Sequence, residues 1–121
     1  MPPKKRYLYV EDNPDSCELI RKMFPDAEVT CAANGRECLE LTKSGDFFDV
    51  YLFDHYLPDT TGIELCREVR HFNPYTPIVF ITASNDLSVV EVRSAGAQGL
   101  VRKSTPYFID QLKQTISDIR P

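Results

Sequence analysis

The sequence lacks the features that mark several common functional classes. Its 14 lysine and arginine residues are outnumbered by 18 aspartate and glutamate residues, so it has no basic excess of the kind found in nucleic-acid-binding domains. No apolar run approaches the roughly 18 residues of a membrane-spanning helix, and no signal-peptide pattern is present. We therefore expect a cytoplasmic protein that binds neither nucleic acid directly nor a membrane.

Glycine and cysteine are scarce, and their spacing argues against two further classes. The five glycines form no G-x-G-x-x-G loop, which a flavin- or dinucleotide-binding module would need. The cysteines form no C-x-x-C pair and have no metal-ligand spacing with a histidine. They alternate with aliphatic residues, so we predict reduced core residues, with a disulfide or a redox role as the alternative. The four are Cys17, Cys31, Cys38 and Cys66.

The composition that remains is typical of one globular domain. The chain has 121 residues, of which 42% are hydrophobic, and its net charge is −4. Residues 1–6, MPPKKR, are predicted to form a basic N-terminal tail, because chain termini are usually solvated. Residues 7–121 are predicted to form the domain.

Short apolar runs alternate with helical patterns along that domain. The predicted strands are Tyr7–Val10, Glu28–Ala32, Val50–Phe53, Pro77–Ile81 and Gly99–Val101. A helix is predicted after each, from capping residues and apolar spacing. The helix starts are Asn13-Pro14, Asn34 to Glu37, Thr61 to Glu64, Asp86 and Thr105-Pro106, and the last helix carries an apolar stripe of Ile109, Leu112, Ile116 and Ile119.

This alternation predicts an α/β fold. A strand that pairs in parallel with its neighbour needs a connection long enough to hold a helix, and strands covered on both faces are continuously apolar, as VYLF and PIVFI are. We predict a single-domain, doubly wound (βα)5 fold, flavodoxin-like, in which helices cover both faces of a five-stranded parallel sheet.

Polar residues stand where four of the strands end. Each could have an ordinary structural role, such as a turn or a helix cap, but ligands of such sheets bind at the carboxyl ends of the strands. Clustered carboxylates repel one another and favour a bound cation, for which oxygen ligands suit Mg²⁺. A lysine nearby would favour an anion such as phosphate. The residues are Glu11, Asp12, Asp54, Thr82 and Lys103.

Together these residues resemble the receiver domain of two-component response regulators. The resemblance rests on Glu11-Asp12 after the first strand, D-x-x-L-P-x-x-x-G from Asp54 to Gly62, Thr82-Ala83, and Lys103. It covers about residues 7–119, in the family's order. It implies magnesium-dependent transfer of a phosphoryl group to Asp54 from the phosphohistidine of a sensor histidine kinase or a phosphotransfer protein.

The same resemblance implies a role for each site residue. Asp12, Asp54 and the backbone carbonyl of Tyr56 would bind Mg²⁺, and Glu11 would act through a water molecule. Thr82 and Lys103 would bond phosphoryl oxygens, and the protein would be a signalling switch that catalyses only its own phosphorylation and dephosphorylation. Its face from about residue 86 to 117 would dock a downstream output domain or protein.

Three positions depart from the family's usual pattern. Leu100 stands where many receivers have an aromatic switch residue that moves with Thr82. Lys103 is followed by serine rather than proline, so we predict a trans peptide bond there. Glu11 replaces an aspartate. Tyr56 occupies a position that tunes phosphoryl lifetime in the family, and we predict that its bulk slows hydrolysis.

Two other functions are alternatives to phosphoryl acceptance. A phosphatase of the haloacid-dehalogenase type would carry D-x-D after the first strand, where this chain has Glu11-Asp12-Asn13. A receiver-like module that docks partners without phosphorylation is the stronger competitor, because Leu100 and Ser104 depart from the pattern.

Overall fold

The computed structural model describes residues 4–119, which form five strands and five helices in strict alternation. The strands are β1 (Lys5–Val10), β2 (Ala27–Ala32), β3 (Val50–Phe53), β4 (Ile78–Thr82) and β5 (Gly99–Arg102). The helices are α1 (Pro14–Met23), α2 (Gly35–Lys43), α3 (Gly62–Arg70), α4 (Val89–Ala95) and α5 (Phe108–Asp118). In the described part of the chain, no helix has the length and apolar character needed to cross a membrane.

All five strands pair in parallel, in the order β2-β1-β3-β4-β5. The predicted doubly wound fold is confirmed. The chain moves outward from β1 to β2 and then crosses back to β3, so the winding direction reverses between β1 and β3. That reversal leaves a crevice at the carboxyl ends of these two strands, where ligands of this fold class bind.

The sheet separates two apolar layers. Leu8 and Val10 of β1 face the layer formed by α2, α3 and α4, whereas Tyr7 and Tyr9 face α1 and α5. This alternation follows from the two-residue period of a strand. Every residue of β3 and β4 is buried, as expected for central strands covered on both faces.

A half-buried arginine, Arg70, links the amino ends of β4 and β5. The guanidinium of Arg70 donates to the carbonyl oxygens of Gly96 (2.9 Å), Asn73 (2.9 Å) and Thr76 (2.8 Å). It also donates to Oε1 of Gln98 (3.0 Å), which in turn accepts from the backbone N–H of Ile78. These partners lie in the loops that lead into the two strands.

Several predicted boundaries were wrong. The first strand begins at Lys5, inside the predicted tail, because Arg6 donates its backbone N–H to Asp49 (2.7 Å) and places its guanidinium over Phe48. Residues 1–3 of that tail lie outside the described residues. Helix α4 begins at Val89 rather than near Asp86, because Ser88 and Glu91 form a complete capping box.

The predicted inner face of the last helix is confirmed for Leu112, Ile116 and Ile119 but was wrong for Ile109. Ile109 is 43% exposed, whereas Phe108, Leu112, Ile116 and Ile119 pack against the α1–α5 layer. The helix starts at Phe108 instead of next to Thr105-Pro106, and Phe108 lies on the inner face because it precedes Leu112 by four residues. The Lys103–Ser104 peptide bond is trans, as predicted.

The prediction of four reduced cysteines was wrong for two of them. Cys17 of α1 and Cys31 of β2 form a disulfide, with their Cα atoms 6.5 Å apart. Their sequence spacing could not reveal the pair, because it arises only when α1 packs over β2. Cys38 and Cys66 are buried free thiols, as predicted.

Candidate functional site at the carboxyl edge of the sheet

Glu11, immediately after β1, is the centre of the polar cluster in the crevice. Its side chain is buried, and its Oε2 accepts a hydrogen bond from Nζ of Lys103 at 2.9 Å. The hydroxyl of Tyr9 donates to the same oxygen at 3.4 Å, and the backbone N–H of Asn13 donates to Oε1 at 3.2 Å. Burial of this carboxylate is therefore compensated by a cation and two neutral donors.

Asp54 lies beside Glu11 because the pairing of β1 and β3 continues one residue past β3. The backbone N–H of Asp54 donates to the carbonyl of Val10 at 3.1 Å. Its Oδ1 accepts from the backbone N–H of His55 at 2.8 Å, and its carboxyl group is within hydrogen-bonding reach of Glu11. The buried apolar strand β3 can be followed by a carboxylate because its end opens into a polar crevice.

The two neighbouring carboxyl groups do not ionise equally. Burial and then the hydrogen bond with Glu11 raise the pKa of Asp54 to about 7. Burial also opposes ionisation of Glu11, but hydrogen bonds with Asp54 and Lys103 outweigh it and lower its pKa to about 2. Near neutral pH and without a metal, the pair of Glu11 and Asp54 is thus partly protonated. The shared proton lies chiefly on Asp54.

Asp12 completes the acidic set on the exposed side. Its hydrogen bond with Glu11 is the largest cause of a raised pKa, and burial and the charge of Glu11 act in the same direction. Glu11, Asp12 and Asp54 therefore form one cluster of three carboxyl groups. The pKa of Asp12 and of Asp54 is raised, whereas that of Glu11 is lowered. A bound cation would relieve that repulsion.

Thr82 ends β4 next to Lys103. The backbone N–H of Lys103 donates to the carbonyl of Thr82 at 2.9 Å, which extends the β4–β5 pairing to the site. The Thr82 side chain is buried, and its hydroxyl accepts from the backbone N–H of Ser84 at 3.0 Å. The hydroxyl proton remains available to a further acceptor.

Two loops meet above the crevice. The hydroxyl of Tyr56, in the β3–α3 loop, donates to Oδ2 of Asp86, in the β4–α4 loop, at 2.6 Å. Arg102 of β5 also binds the β4–α4 loop. Its guanidinium donates to the carbonyls of Ser84 (3.0 Å) and Leu87 (2.6 Å). We call the Tyr56–Asp86 bond the loop clasp.

Steric crowding explains why the last residue of the D-x-x-L-P-x-x-x-G motif, Gly62, is a glycine. A Cβ at Gly62 would collide with the backbone carbonyl of Asp54 and approach Cε2 of Phe80 to 2.7 Å. The backbone N–H of Gly62 donates to the carbonyl of His55 at 2.6 Å. Helix α3 can therefore start directly against the strand end that carries Asp54.

The donor set of the crevice fits Mg²⁺. Within residues 4–119, no three His, Cys, Asp or Glu side chains are arranged as a protein-only metal centre. Mg²⁺, however, usually takes one or two carboxylates, several waters and phosphate oxygens. The carboxylates of Asp12 and Asp54 are hard oxygen donors. Burial chiefly raises the pKa of Asp54 and the hydrogen bond with Glu11 chiefly raises that of Asp12, so a bound cation would favour the ionised form of both.

The structure brings together four predicted side chains directly, since Glu11 contacts Asp12, Asp54 and Lys103. Thr82 joins them through its backbone bond to Lys103. Leu100 lies farther down β5, paired with Phe80 and packed against the α2–α4 layer. Which of these residues bind metal or phosphate stays a prediction.

Sequence reasoning missed three residues of the site. Tyr9 could have been found, because it stands two residues before Glu11 and a strand places both side chains on one face. Asp86 and Arg102 gave no such signal. Their partners lie 30 and up to 18 residues away in other loops, and no periodic pattern relates them.

The family model for the response regulator receiver domain matches residues 7–117. The chain is 30% identical over 114 residues to the transcriptional regulatory protein ZraR of Klebsiella oxytoca, a match that covers 92% of this chain and 25% of that protein. It is 32% identical over 111 residues to TrcR of Mycobacterium tuberculosis, covering 88% and 42%. The chain thus spans well under two thirds of these relatives.

Solved structures share the fold over nearly their whole length. The chemotaxis response regulator CheY4 of Vibrio cholerae matches with a TM-score of 0.82 and 27% identity, covering 94% of this chain and 99% of that one. The response regulator TrrA of Thermotoga maritima, solved in complex with Mg²⁺ and BeF, matches with a TM-score of 0.81 and 30% identity, covering 93% and 96%.

Proposed function

The chain belongs to the response regulator receiver family, and on that premise we propose that it accepts a phosphoryl group on Asp54. Receiver domains are signalling switches of two-component systems. The donor we propose is the phosphohistidine of a sensor histidine kinase or a phosphotransfer protein. The observation that carries the proposal is the cluster in which Glu11 joins Asp54 to Lys103 at the reversal point of the sheet.

The transfer step requires Asp54 as a nucleophile. One carboxylate oxygen of Asp54 attacks phosphorus, an O–P bond forms, and the P–N bond of the phosphohistidine breaks with its electron pair going to the imidazole nitrogen. The product is an acyl phosphate. Because the pKa of Asp54 is raised to about 7, the proton on this group must leave before attack.

Asp12, Asp54 and the backbone carbonyl of Tyr56 are the proposed Mg²⁺ ligands, and Glu11 would act through water. Bound Mg²⁺ would supply positive charge that favours ionised Asp54 and neutralises the transferred group. Glu11 has a second task in this scheme. It holds Lys103 by a 2.9 Å ion pair at the edge of the crevice, ready to exchange Glu11 for a phosphoryl oxygen.

Lys103 and Thr82 are proposed to hold the phosphoryl oxygens. The ammonium of Lys103 has donors and no acceptor, and the hydroxyl of Thr82 keeps a proton to donate while it accepts from Ser84. Both belong to the ends of adjacent strands joined by a 2.9 Å backbone bond. Charge developing on the transferred group is thus met from one side by fixed donors.

Movement of Thr82 toward the phosphoryl group is the proposed start of the signal. Its hydroxyl is bonded to Ser84, so the β4–α4 loop follows it. Thr82 and Leu100 form the proposed switch region, and the face from about residue 86 to 117 is proposed to dock an output domain or protein. This chain spans 25% of ZraR and 42% of TrcR, so the downstream functions of those proteins are not assigned to it.

A receiver-like module that docks partners without phosphorylation is the second candidate. Leu100 favours it, because this aliphatic side chain packs partly buried against the α2–α4 layer and has no polar group to signal by changing partners. The intact Glu11, Asp54 and Lys103 cluster favours phosphorylation instead.

Intact mass spectrometry with acetyl phosphate and Mg²⁺ separates the two candidates. We expect a mass gain of one phosphoryl group in wild type, none without Mg²⁺, and none in Asp54→Asn. The matched control is Asp59→Asn, since Asp59 lies in the same loop but accepts from the backbone N–H groups of Gly35 and Arg36. Labelling that persists in Asp54→Asn, or its absence in wild type, would refute acceptance at Asp54.

A further inference from the structure

The disulfide between α1 and β2 lies one strand away from the acidic cluster. Cys31 stands opposite Tyr9 in the β1–β2 register, and the Tyr9 hydroxyl donates to Glu11. Cys17 lies in α1, and its backbone N–H donates to the carbonyl of the capping residue Asn13 at 3.3 Å. The cross-link therefore anchors the turn that carries Asp12.

Both cysteines also line an open cleft of about 280 Å³. Glu11 and Asp12 line the same cleft, so the cysteine pair and the acidic cluster share one opening to solvent. Cys17 is 6% exposed, and Cys31 is only partly buried. Cys31 is therefore the more exposed residue of the pair.

The free cysteines have the opposite environment. Cys38 and Cys66 are fully buried, and burial raises their thiol pKa to about 12 and about 11. Since the thiolate is the reactive form of cysteine, these two thiols are protected from oxidation. The chain thus carries its own internal control for reactivity.

The charge of the cleft restricts the oxidants that reach the pair. Four carboxylates and one guanidinium line it, from Glu11, Asp12, Glu18, Glu37 and Arg21. The guanidinium is already bound to Glu18 at 2.8 Å and to the carbonyl of Val29 at 3.3 Å. An acidic surface repels anionic reagents and leaves uncharged ones unaffected.

We propose that Cys17 and Cys31 form a reversible redox site that takes uncharged hydrogen peroxide as its oxidant, and that its disulfide form fixes the β1–α1 turn. The Cys31 thiolate attacks one peroxide oxygen, the O–O bond breaks, and the departing hydroxide takes a proton to become water. The Cys17 thiolate then attacks the sulfenic sulfur, and a second water leaves. Two thiols are oxidised and one peroxide is reduced; a dithiol reverses the change by exchange.

The first test measures which thiols react and with what. Reduced wild-type protein is treated at low ionic strength with hydrogen peroxide, anionic glutathione disulfide or cationic cystamine, then alkylated and mapped by peptide mass. We expect peroxide to protect Cys17 and Cys31 from alkylation, dithiothreitol to restore both, and Cys38 and Cys66 to stay reduced. Cystamine should react roughly tenfold faster than glutathione disulfide.

The second test measures the turn itself. Hydrogen exchange of the backbone amides from Asn13 to Cys17 should be slower in the oxidised protein than in the reduced protein. Cys31→Ser should lose the difference between oxidising and reducing conditions; if it folds poorly, the two states of wild type still provide the comparison. Peroxide that leaves Cys17 and Cys31 alkylatable, or equal exchange in both states, would overturn the proposal. Neither readout involves phosphorylation, so the two tests evaluate the redox proposal independently of phosphoryl acceptance by Asp54.

Discussion

Asp54 is held against Glu11 by the pairing of β1 with β3, and the two side chains compete for ionisation. Burial opposes ionisation of Glu11, but its hydrogen bonds with Asp54 and with Lys103, 2.9 Å from its Oε2, lower its pKa, whereas burial raises the pKa of Asp54. The residue proposed as the nucleophile is therefore partly protonated near neutral pH in the absence of metal. The proposed Mg²⁺ and a rise in pH would therefore have the same effect, since each favours the ionised form of Asp54.

Replacing Asp54 by asparagine should stabilise the metal-free fold more at pH 8 than at pH 5. The pKa of Asp54 rises from 3.8 when unfolded to about 7 when folded, so the stability gained from its proton is complete below about 3.8 and lost as pH rises through about 7. Asparagine loses nothing in that window. Urea unfolding in EDTA should show the difference widen by about 1 kcal/mol, a value reduced for solvent screening.

Asp59→Asn is the control for that experiment. The backbone N–H of Gly35 is the largest cause of its lowered pKa, so its contribution is already complete above the unfolded value of 3.8. The effect of Asp59→Asn should be equal at pH 5 and pH 8. A parallel pH profile for Asp54→Asn would contradict the assigned protonation of Asp54.

Tyr56→Ala should shorten the lifetime of the acyl phosphate. Tyr56 lies two residues after Asp54 in the β3–α3 loop and is bonded to Asp86, so we expect its ring to limit the access of water to the acyl phosphate. We expect hydrolysis to be roughly threefold faster or more in a decay assay after removal of the donor. Tyr56→Phe keeps the ring without the clasp and should be intermediate. Equal decay in wild type and Tyr56→Ala would exclude a shielding role.

At the scale of elements, the helix and strand order could be predicted because each element carries its own periodicity. The acidic crevice could also be predicted, since the carboxyl ends of parallel strands meet at one edge. The start of α4 was missed although Ser88 and Glu91 have capping-box spacing, because the valine-rich pattern was extended back to Asp86. The Cys17–Cys31 pair and the loop clasp could not be predicted, because each depends on tertiary packing between separate elements.

Gly62→Ala should destabilise the start of α3. The added Cβ would collide with the Asp54 carbonyl and the Phe80 ring, both held in the buried sheet, so the helix start must move. Overpacking of this kind costs about 1–3 kcal/mol, measurable by urea unfolding. Gly35→Ala provides a comparison, because its nearest contact is the side chain of Thr60, which can shift more easily. A loss at Gly62 no larger than at Gly35 would refute the steric role.

At the scale of the whole molecule, the proposed Mg²⁺ site would couple metal binding to folding. Its proposed ligands come from the ends of β1 and β3, which meet only in the folded sheet. A ligand that binds only the folded state stabilises it by mass action. The fold should therefore respond to a cation even where no phosphoryl donor is present.

Mg²⁺ should raise the temperature of unfolding, and EDTA should reverse the rise. At one hundred times its dissociation constant, the gain should be about 2.7 kcal/mol. Asp12→Asn should lose most of the shift measured by calorimetry, while Asp15→Asn, an exposed change three residues away in α1, should keep it. An equal shift in both variants would place the cation elsewhere.

Arg70 holds the amino ends of β4 and β5 in place. Its guanidinium clamps the loops that enter β4 and β5 through Gly96, Asn73, Thr76 and Gln98, while Thr82 and Lys103 stand at the far ends of the same strands. If Thr82 moves toward a phosphoryl group, we therefore expect β4 and β5 to tilt about their amino ends instead of sliding past each other. The displacement should then be largest at the carboxyl ends of the two strands, beside α4 and α5.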